Sequence, residues 1–322
     1  MPLAEAYRKQ VALLIKIVPL IAAEPAFALK GGTAINLFLR DMPRVSVDID
    51  LTYVPIKNRA SSLKEIDAAM KRIAAAIEHG VRGAKVNTSA PKGEKGITKL
   101  IVRGDGAQIK IEVTPVLRGC VYEPEVRSVS ARVEEEFGFA EMSVVSFPDL
   151  YGGKIVAALD RQHPRDLFDV RDLFAKEGID DKVRKAFIVY LLSHDRPMAE
   201  VLAPQRLDIS AEYQRGFEGM VDERVTLDEL LKAREDLIAE IVGRMPEQHK
   251  RFLISVKRGE PDWALLNLRG AKDLPAVQWK LQNLAKLSDE KRAQLLKGLN
   301  AALQIKQQSG ERHPSNCHAE NG

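Results

Sequence analysis

An α/β N-terminal half followed by an all-helical C-terminal half is the fold class the sequence predicts, on three observations. Strand-like alternation and turn signals are confined to the first 150 residues. A helix start with proline near its first turn, Ser146-Phe-Pro-Asp149, marks a change of character. Beyond it, segments with helical periodicity follow one another and strand signals nearly vanish. The expected layout is a mixed β-sheet domain with helices over 1–145, a helical domain over 146–308, and a polar, disordered tail over 309–322.

The elements follow in order. Residues 4–22 carry helical periodicity, and Phe27 to Leu29 is a short apolar lead into Lys30, Gly31 and Gly32. Thr33 to Arg40 reads as a helix that Pro43 ends. Val45 to Val54 alternates like a strand, with Val45, Val47, Ile49 and Leu51 on one side and Ser46, Asp48, Asp50 and Thr52 on the other. Ser62 to His79 is a helix with Ile66, Met70, Ile73 and Ile77 on one face. Ile97 to Arg103 and Gln108 to Pro115 flank the turn signal Gly104-Asp105-Gly106 and are expected to be hairpin partners. Ser143 to Phe147 is read as a last strand. Helices are expected over 150–159, 167–175, 181–193, 226–245, 262–268, 276–287 and 288–307.

Composition bounds the class. The chain has 322 residues, 45% hydrophobic and 29% charged, the profile of a soluble globular protein. No stretch reaches the roughly 18 charge-free apolar residues of a membrane span, so a cytoplasmic protein with no membrane partner is expected. The two cysteines, Cys120 and Cys317, lie far apart and argue against a disulfide framework or a zinc finger. Net charge is +4, but Arg82 to Lys110 alone carries a local excess of +5 and Arg244 to Arg258 one of +4. Such fields suit a polyanion; a solvated hairpin and a solvated helix face are the plainer readings. Trp263 and Trp279 are expected in the core, and the six histidines at the surface or in loops.

Three constellations carry chemistry. Gly31-Gly32-Thr33 at a helix start lets backbone N–H groups approach phosphate oxygens, and Asp48 and Asp50 project from one strand face where they can share divalent cations. An anion cradle with paired carboxylates equips a protein for metal-assisted phosphoryl or nucleotidyl transfer. Glu112, flanked by Ile111 and Val113, is either a third ligand to a metal pair or an exposed glutamate on a half-buried strand. Lys154, Arg161 and Arg165 could pair with triphosphate oxygens, with Asp166 orienting one of them or acting on the attacking hydroxyl; an interhelical Arg–Asp salt-bridge cluster is the alternative.

Gly31-Gly32-Thr33 with Arg44-Val-Ser46-Val-Asp48-Ile-Asp50 resembles the signature of the nucleotidyltransferase superfamily that includes DNA polymerase beta. It is most similar to the AbiEii/AbiGii-type toxin branch of type IV toxin–antitoxin and abortive-infection systems, whose lysine helix and arginine–aspartate element Lys154 to Asp169 resembles. The resemblance covers about residues 25–175 and implies a nucleotidyltransferase-type sheet domain. It implies that Gly31, Gly32, Thr33 and Ser46 hold nucleotide phosphates with Lys154 and Arg165, and that Asp48 and Asp50 bind Mg²⁺ or Mn²⁺. It also implies Glu112 as the third superfamily carboxylate and Lys154 and Asp166 as catalytic partners. The expected activity is transfer of nucleotides from a nucleoside triphosphate to an RNA, the 3′ end of tRNA, by a toxin encoded beside an antitoxin. A protein or small-molecule acceptor, or a non-catalytic nucleotide-binding module, are the alternatives.

Overall fold

The computed structural model describes residues 5–91, 96–221 and 223–304. Two lysines of the first basic cluster, Lys92 and Lys95, and the polar tail from 309 with Cys317 lie outside them.

The chain opens with α1 (Glu5–Ala22) and β1 (Phe27–Lys30). Helix α2 (Gly31–Thr33) runs on as a wider π-helical turn over Ala34–Leu39. Then come β2 (Asp48–Tyr53), α3 (Arg59–Gly80), β3 (Lys85–Ser89), β4 (Lys99–Gly104) and β5 (Ala107–Val113). The sheet is completed by β6 (Glu125–Ser128), α4 (Ala131–Phe137) and β7 (Glu141–Val144), the last strand lying two residues ahead of its expected start. Among the described residues the seven strands order as β3-β4-β5-β2-β1-β7-β6. The β2–β5 and β1–β7 pairs are parallel and the others antiparallel.

Alternation decides what each face does. Ile49, Leu51, Leu100, Val102, Ile109 and Ile111 point to one side and are buried at 2% exposure or less, where α1 and α3 cover them. The other side carries Asp48, Asp50, Lys110, Glu112, Lys99 and Arg103, paired in register across β2, β5 and β4. The β4–β5 hairpin forms as expected, and its turn residues Asp105 and Gly106 both take positive φ.

From Ser146 onward the described elements are helical. Ser146 caps α5 (Phe147–Asp160), its Oγ accepting from the Asp149 N–H. Asp149 in turn accepts from the backbone N–H groups of Val121 and Tyr122 and from the Tyr190 hydroxyl, fixing the preceding loop to α5. Next come α6 (Pro164–Lys176) and α7 (Asp181–Ser193), which crosses α5 so closely that a Cβ on Gly152 would stand 2.8 Å from the Phe187 nitrogen. Short helices α8 (Met198–Leu202) and α9 (Ser210–Gly216) lead to α10 (Leu227–Ile238), which starts with a full capping box at Thr226 and Glu229. The last described elements are α11 (Glu247–Arg258), α12 (Trp263–Leu266), α13 (Pro275–Ala285) and α14 (Asp289–Ala302). One apolar cluster runs through sheet and helices alike. No helix among the described residues is long and apolar enough to cross a membrane.

Three expectations fail here. Trp279 is 58% exposed, because α13 turns Val277 and Leu284 inward and leaves the indole outside; Trp263 is partly buried and packs on Phe252. His249 is fully buried in α11. Lys257 is also buried, so the basic residues from Arg244 to Arg258 do not share one solvated face.

Candidate active site

The site is built outward from the end of β1. Gly31 takes φ +76°, a left-handed conformation that L side chains rarely adopt, and a Cβ there would stand 2.8 Å from Asp50 Oδ2. A Cβ on Gly32 would stand 2.8 Å from Arg44 Nη2 and 2.9 Å from Ser46 Oγ. Only glycine lets the turn lie this close to β2. The Thr33 hydroxyl fastens it there, donating to the Asp48 carbonyl and accepting from the Ser46 hydroxyl at 3.1 Å.

Asp48 and Asp50 share the polar face of β2, and across the parallel pairing stand Lys110 and Glu112 respectively. The Lys110 ammonium is 3.1 Å from Glu112 Oε2 and 3.8 Å from Asp48 Oδ2. Burial alone pulls this lysine's pKa down, but Asp48, the hydrogen bond to Glu112, and Asp50 outweigh it and hold it above the ordinary value. On the opposite flank of β2 lies Lys30, the antiparallel partner of Asp50, whose Nζ donates to Thr114 Oγ1 at 3.2 Å. Burial lowers the Lys30 pKa despite Asp50 nearby. Burial also raises the Asp50 pKa; Lys30 and Lys110 oppose that shift, while Asp48 and Glu112 add to it.

Asp48 and Asp50 offer paired hard oxygen donors, a set that suits Mg²⁺ or Mn²⁺. Among the described residues no three His, Cys, Asp or Glu side chains are gathered to hold a metal. The Glu112 carboxylate is taken up by Lys110.

The second half of the site comes from α5 and α6. Asp166 and Asp169 are three residues apart on α6 and so share a face, toward which α5 directs Lys154. The Lys154 ammonium is 2.7 Å from Asp166 Oδ1 and 2.9 Å from Asp169 Oδ2, with all three side chains at 7% exposure or less. Asp169 also receives a two-pronged bond from Arg44, and Asp166 one from Arg161 at 2.6 and 3.0 Å. Burial would push both carboxyl pKa values up. Lys154 and Arg161 at Asp166, and Arg44 and Lys154 at Asp169, reverse that and hold both below the ordinary range. Asn36 closes the circuit by donating to Gly32 O at 2.9 Å and to Asp169 Oδ1 at 3.3 Å. Sheet turn and helix pair are thus one charged network.

Between them lies a cleft of about 560 Å³, a size suited to a nucleotide. Gly31, Gly32, Asp50 and Lys154 line it, with Lys30 and Arg161. Leu117, Val156 and Ala157 give it an apolar wall, and Tyr190 and His194 close one side. Thr33, Ser46, Asp48, Glu112, Asp166 and Arg165 are not in its lining. Thr33, Ser46 and Asp166 support lining residues from behind. The backbone N–H of Arg165 is held by His163 Nδ1 at 3.1 Å, and Arg161 lines the cleft. The sequence reading gave no role to Lys30, Arg44 or Asp169. Lys30 adjoins the glycine pair, and the i, i+3 spacing from Asp166 was the signal for Asp169.

Residues 13–283 match the protein family described as nucleotidyl transferase AbiEii toxin, type IV TA system. Among solved structures, the fold is similar to MenT4, a nucleotidyltransferase toxin from Mycobacterium tuberculosis H37Rv. The TM-score is 0.59 at 18% identity, over 87% of this chain and 94% of that one. At that identity the likeness speaks to the fold alone. The comparison with curated proteins gives no match.

Proposed function

The chain belongs to the AbiEii family of nucleotidyltransferase toxins of type IV toxin–antitoxin systems, and on that premise we propose that it transfers nucleotides from a nucleoside triphosphate to an RNA, the 3′ end of tRNA, blocking translation and growth. The observation that carries this reading is the contact of the Gly31–Gly32 turn with the Asp50 carboxylate, in a cleft that Lys154 also lines. Family membership also implies a cognate antitoxin.

In the proposed reaction the RNA 3′ hydroxyl attacks the α-phosphorus. A phosphodiester bond forms, the bond between the α-phosphorus and the bridging oxygen of the β-phosphate breaks, pyrophosphate leaves, and the hydroxyl proton passes to water. Asp48 and Asp50 hold Mg²⁺ or Mn²⁺, which when bound offsets charge on the α-phosphate and lowers the pKa of the attacking hydroxyl. The backbone of Gly31 and Gly32, with Ser46 behind, receives phosphate oxygens. Lys154 and Arg161 offer charge-assisted hydrogen bonds to the triphosphate, and Asp166 and Asp169 fix Lys154 in place beforehand. The apolar wall of the cleft accommodates the base. An RNA acceptor is supported by the exposed cations Lys85 and Arg103, cross-strand partners on the sheet face that bears Asp48 and Asp50. The site of action is the cytoplasm, where tRNA resides.

The test is a transfer assay with Mg²⁺, each labelled nucleoside triphosphate and total tRNA, beside Asp48→Ala and Lys154→Ala. Label on tRNA from the wild type alone is the expected result. Label on protein instead moves the acceptor to a protein hydroxyl. Equal label with Asp48→Ala refutes the mechanism.

A further inference from the structure

We propose that Lys110 supplies the positive charge that a second metal ion would otherwise bring, so that Asp48 and Asp50 hold a single divalent cation and Glu112 serves to aim Lys110. The inference rests on the reading of this site as a nucleotidyltransferase centre and deepens it.

The β2–β5 register carries the argument. Because the pairing is parallel and in step, Asp48 faces Lys110 and Asp50 faces Glu112 on one side of the sheet. Lys110 and Glu112 are two residues apart on β5 and therefore also side by side. The ammonium stands between the carboxylates of Glu112 and Asp48, closer to Glu112. Glu112 has a second lysine, Lys99, as its cross-strand partner on β4. A carboxylate so placed is surrounded by built-in cations on its own face.

Charge points the same way. On this face the three carboxylates of Asp48, Asp50 and Glu112 are matched by the three ammonium groups of Lys30, Lys110 and Lys99. A divalent cation can reach Asp48 and Asp50 from the open side, whereas a second on the β5 side of Asp48 would have to displace Lys110. Two-metal centres place their ions about 3.5–4 Å apart on shared carboxylates. Here the β5 side of Asp48 already carries a covalently tethered ammonium, 3.8 Å from Oδ2.

Position gives this lysine its task. β1 and β5 lie on opposite flanks of β2, so Lys110 is on the side away from the Gly31–Gly32 turn. With the triphosphate on the glycine side, Lys110 faces the approaching hydroxyl. There a fixed point charge stabilises the negative charge that develops on the attacking oxygen and the α-phosphate. Lys110 is thus the positioned cation and Glu112 a positioning residue acting through it.

The experiment counts Mn²⁺ bound by the whole chain in the presence of a nucleoside triphosphate analogue whose α–β bridging oxygen is a methylene group. Free Mn²⁺ is read by electron paramagnetic resonance. The expected count is one ion in the wild type, one in Glu112→Gln, and two in Lys110→Gln, where Glu112 and Asp48 are released. Two ions in the wild type, a lost ion in Glu112→Gln, or one ion in Lys110→Gln overturns the proposal. In parallel, Lys110→Gln is expected to lower the turnover number by about tenfold or more with little change in KM for the nucleotide, and Lys110→Arg to restore most of it. Analogue binding is read in the same titration: a chain that binds none refutes the transferase site itself, whereas binding with the wrong ion count refutes only the role of Lys110.

Discussion

Arg44 and Asp169, 125 residues apart, meet in a two-pronged ion pair with Nε–Oδ1 at 2.8 Å and Nη2–Oδ2 at 2.6 Å, both side chains at most 2% exposed. Arg44 packs under the glycine turn and Asp169 under Lys154, so this pair joins the two halves of the site. Breaking a buried pair leaves an uncompensated charge. Asp169→Ala or Arg44→Ala should therefore cost about 3–5 kcal/mol in chemical denaturation. Arg44→Lys should recover little, because an ammonium cannot reproduce the planar fork.

The glycine turn makes a separable prediction. Gly32→Ala pushes a methyl group against Arg44 and Ser46, and Gly31→Ala adds left-handed strain beside Asp50. Stability should fall by only about 1–3 kcal/mol, the cost of one strained residue. Nucleotide transfer should fall much further, because the cradle and Asp50 move together. Thermal melts and steady-state kinetics on the same preparations compare the two losses.

His249 predicts an acid sensitivity. Its ring is fully buried, neither nitrogen has a hydrogen-bond partner among the described residues, and Asp181 Oδ1 is 3.7 Å from Nε2. Burial holds its pKa below 6.5, with Arg184 and Lys185 reinforcing and Asp181 opposing. The unfolded chain takes a proton near pH 6.5 that the folded chain resists, so this residue destabilises the fold as pH falls through that value. His249→Leu should be about 1 kcal/mol more stable at pH 7 and should lose less stability by pH 5.5. Denaturant midpoints at both pH values check this.

The acceptor surface can be tested through salt. Reversing both Lys85 and Arg103 to Glu should weaken tRNA binding and leave the KM for nucleotide unchanged. The slope of log affinity against log salt should fall by about 1.5, since each lysine or arginine that neutralises a phosphate releases close to one counterion. An unchanged slope would assign the acceptor to another face.

The site's central residues were legible because their signals are local. Alternation alone puts Asp48 and Asp50 on one face, and the adjacent glycines and the capped start of α5 stand out in sequence. The placement of Lys110 beside Asp48 was not legible, since it depends on β5 docking parallel to β2 after α3, β3 and β4 have intervened. β3 and β6 escaped notice because they are largely exposed strands near the sheet edges, with no buried apolar alternation to mark them. Trp279 and His249 were misplaced because residue type predicts burial only on average, and the rotation of each helix set the outcome.

The central position of β2 has a consequence during synthesis. A ribosome delivers Asp48 and Asp50 early, but β5 must emerge before they gain their parallel neighbour, and Asp169 before Arg44 finds its counter-ion. A nascent chain that has not yet exposed residue 169 has the carboxylates and the glycine turn without the lysine clamp of α5 and α6. The centre assembles only once more than half of the polypeptide has left the ribosome, so prematurely terminated products carry the signature residues without the machine that uses them.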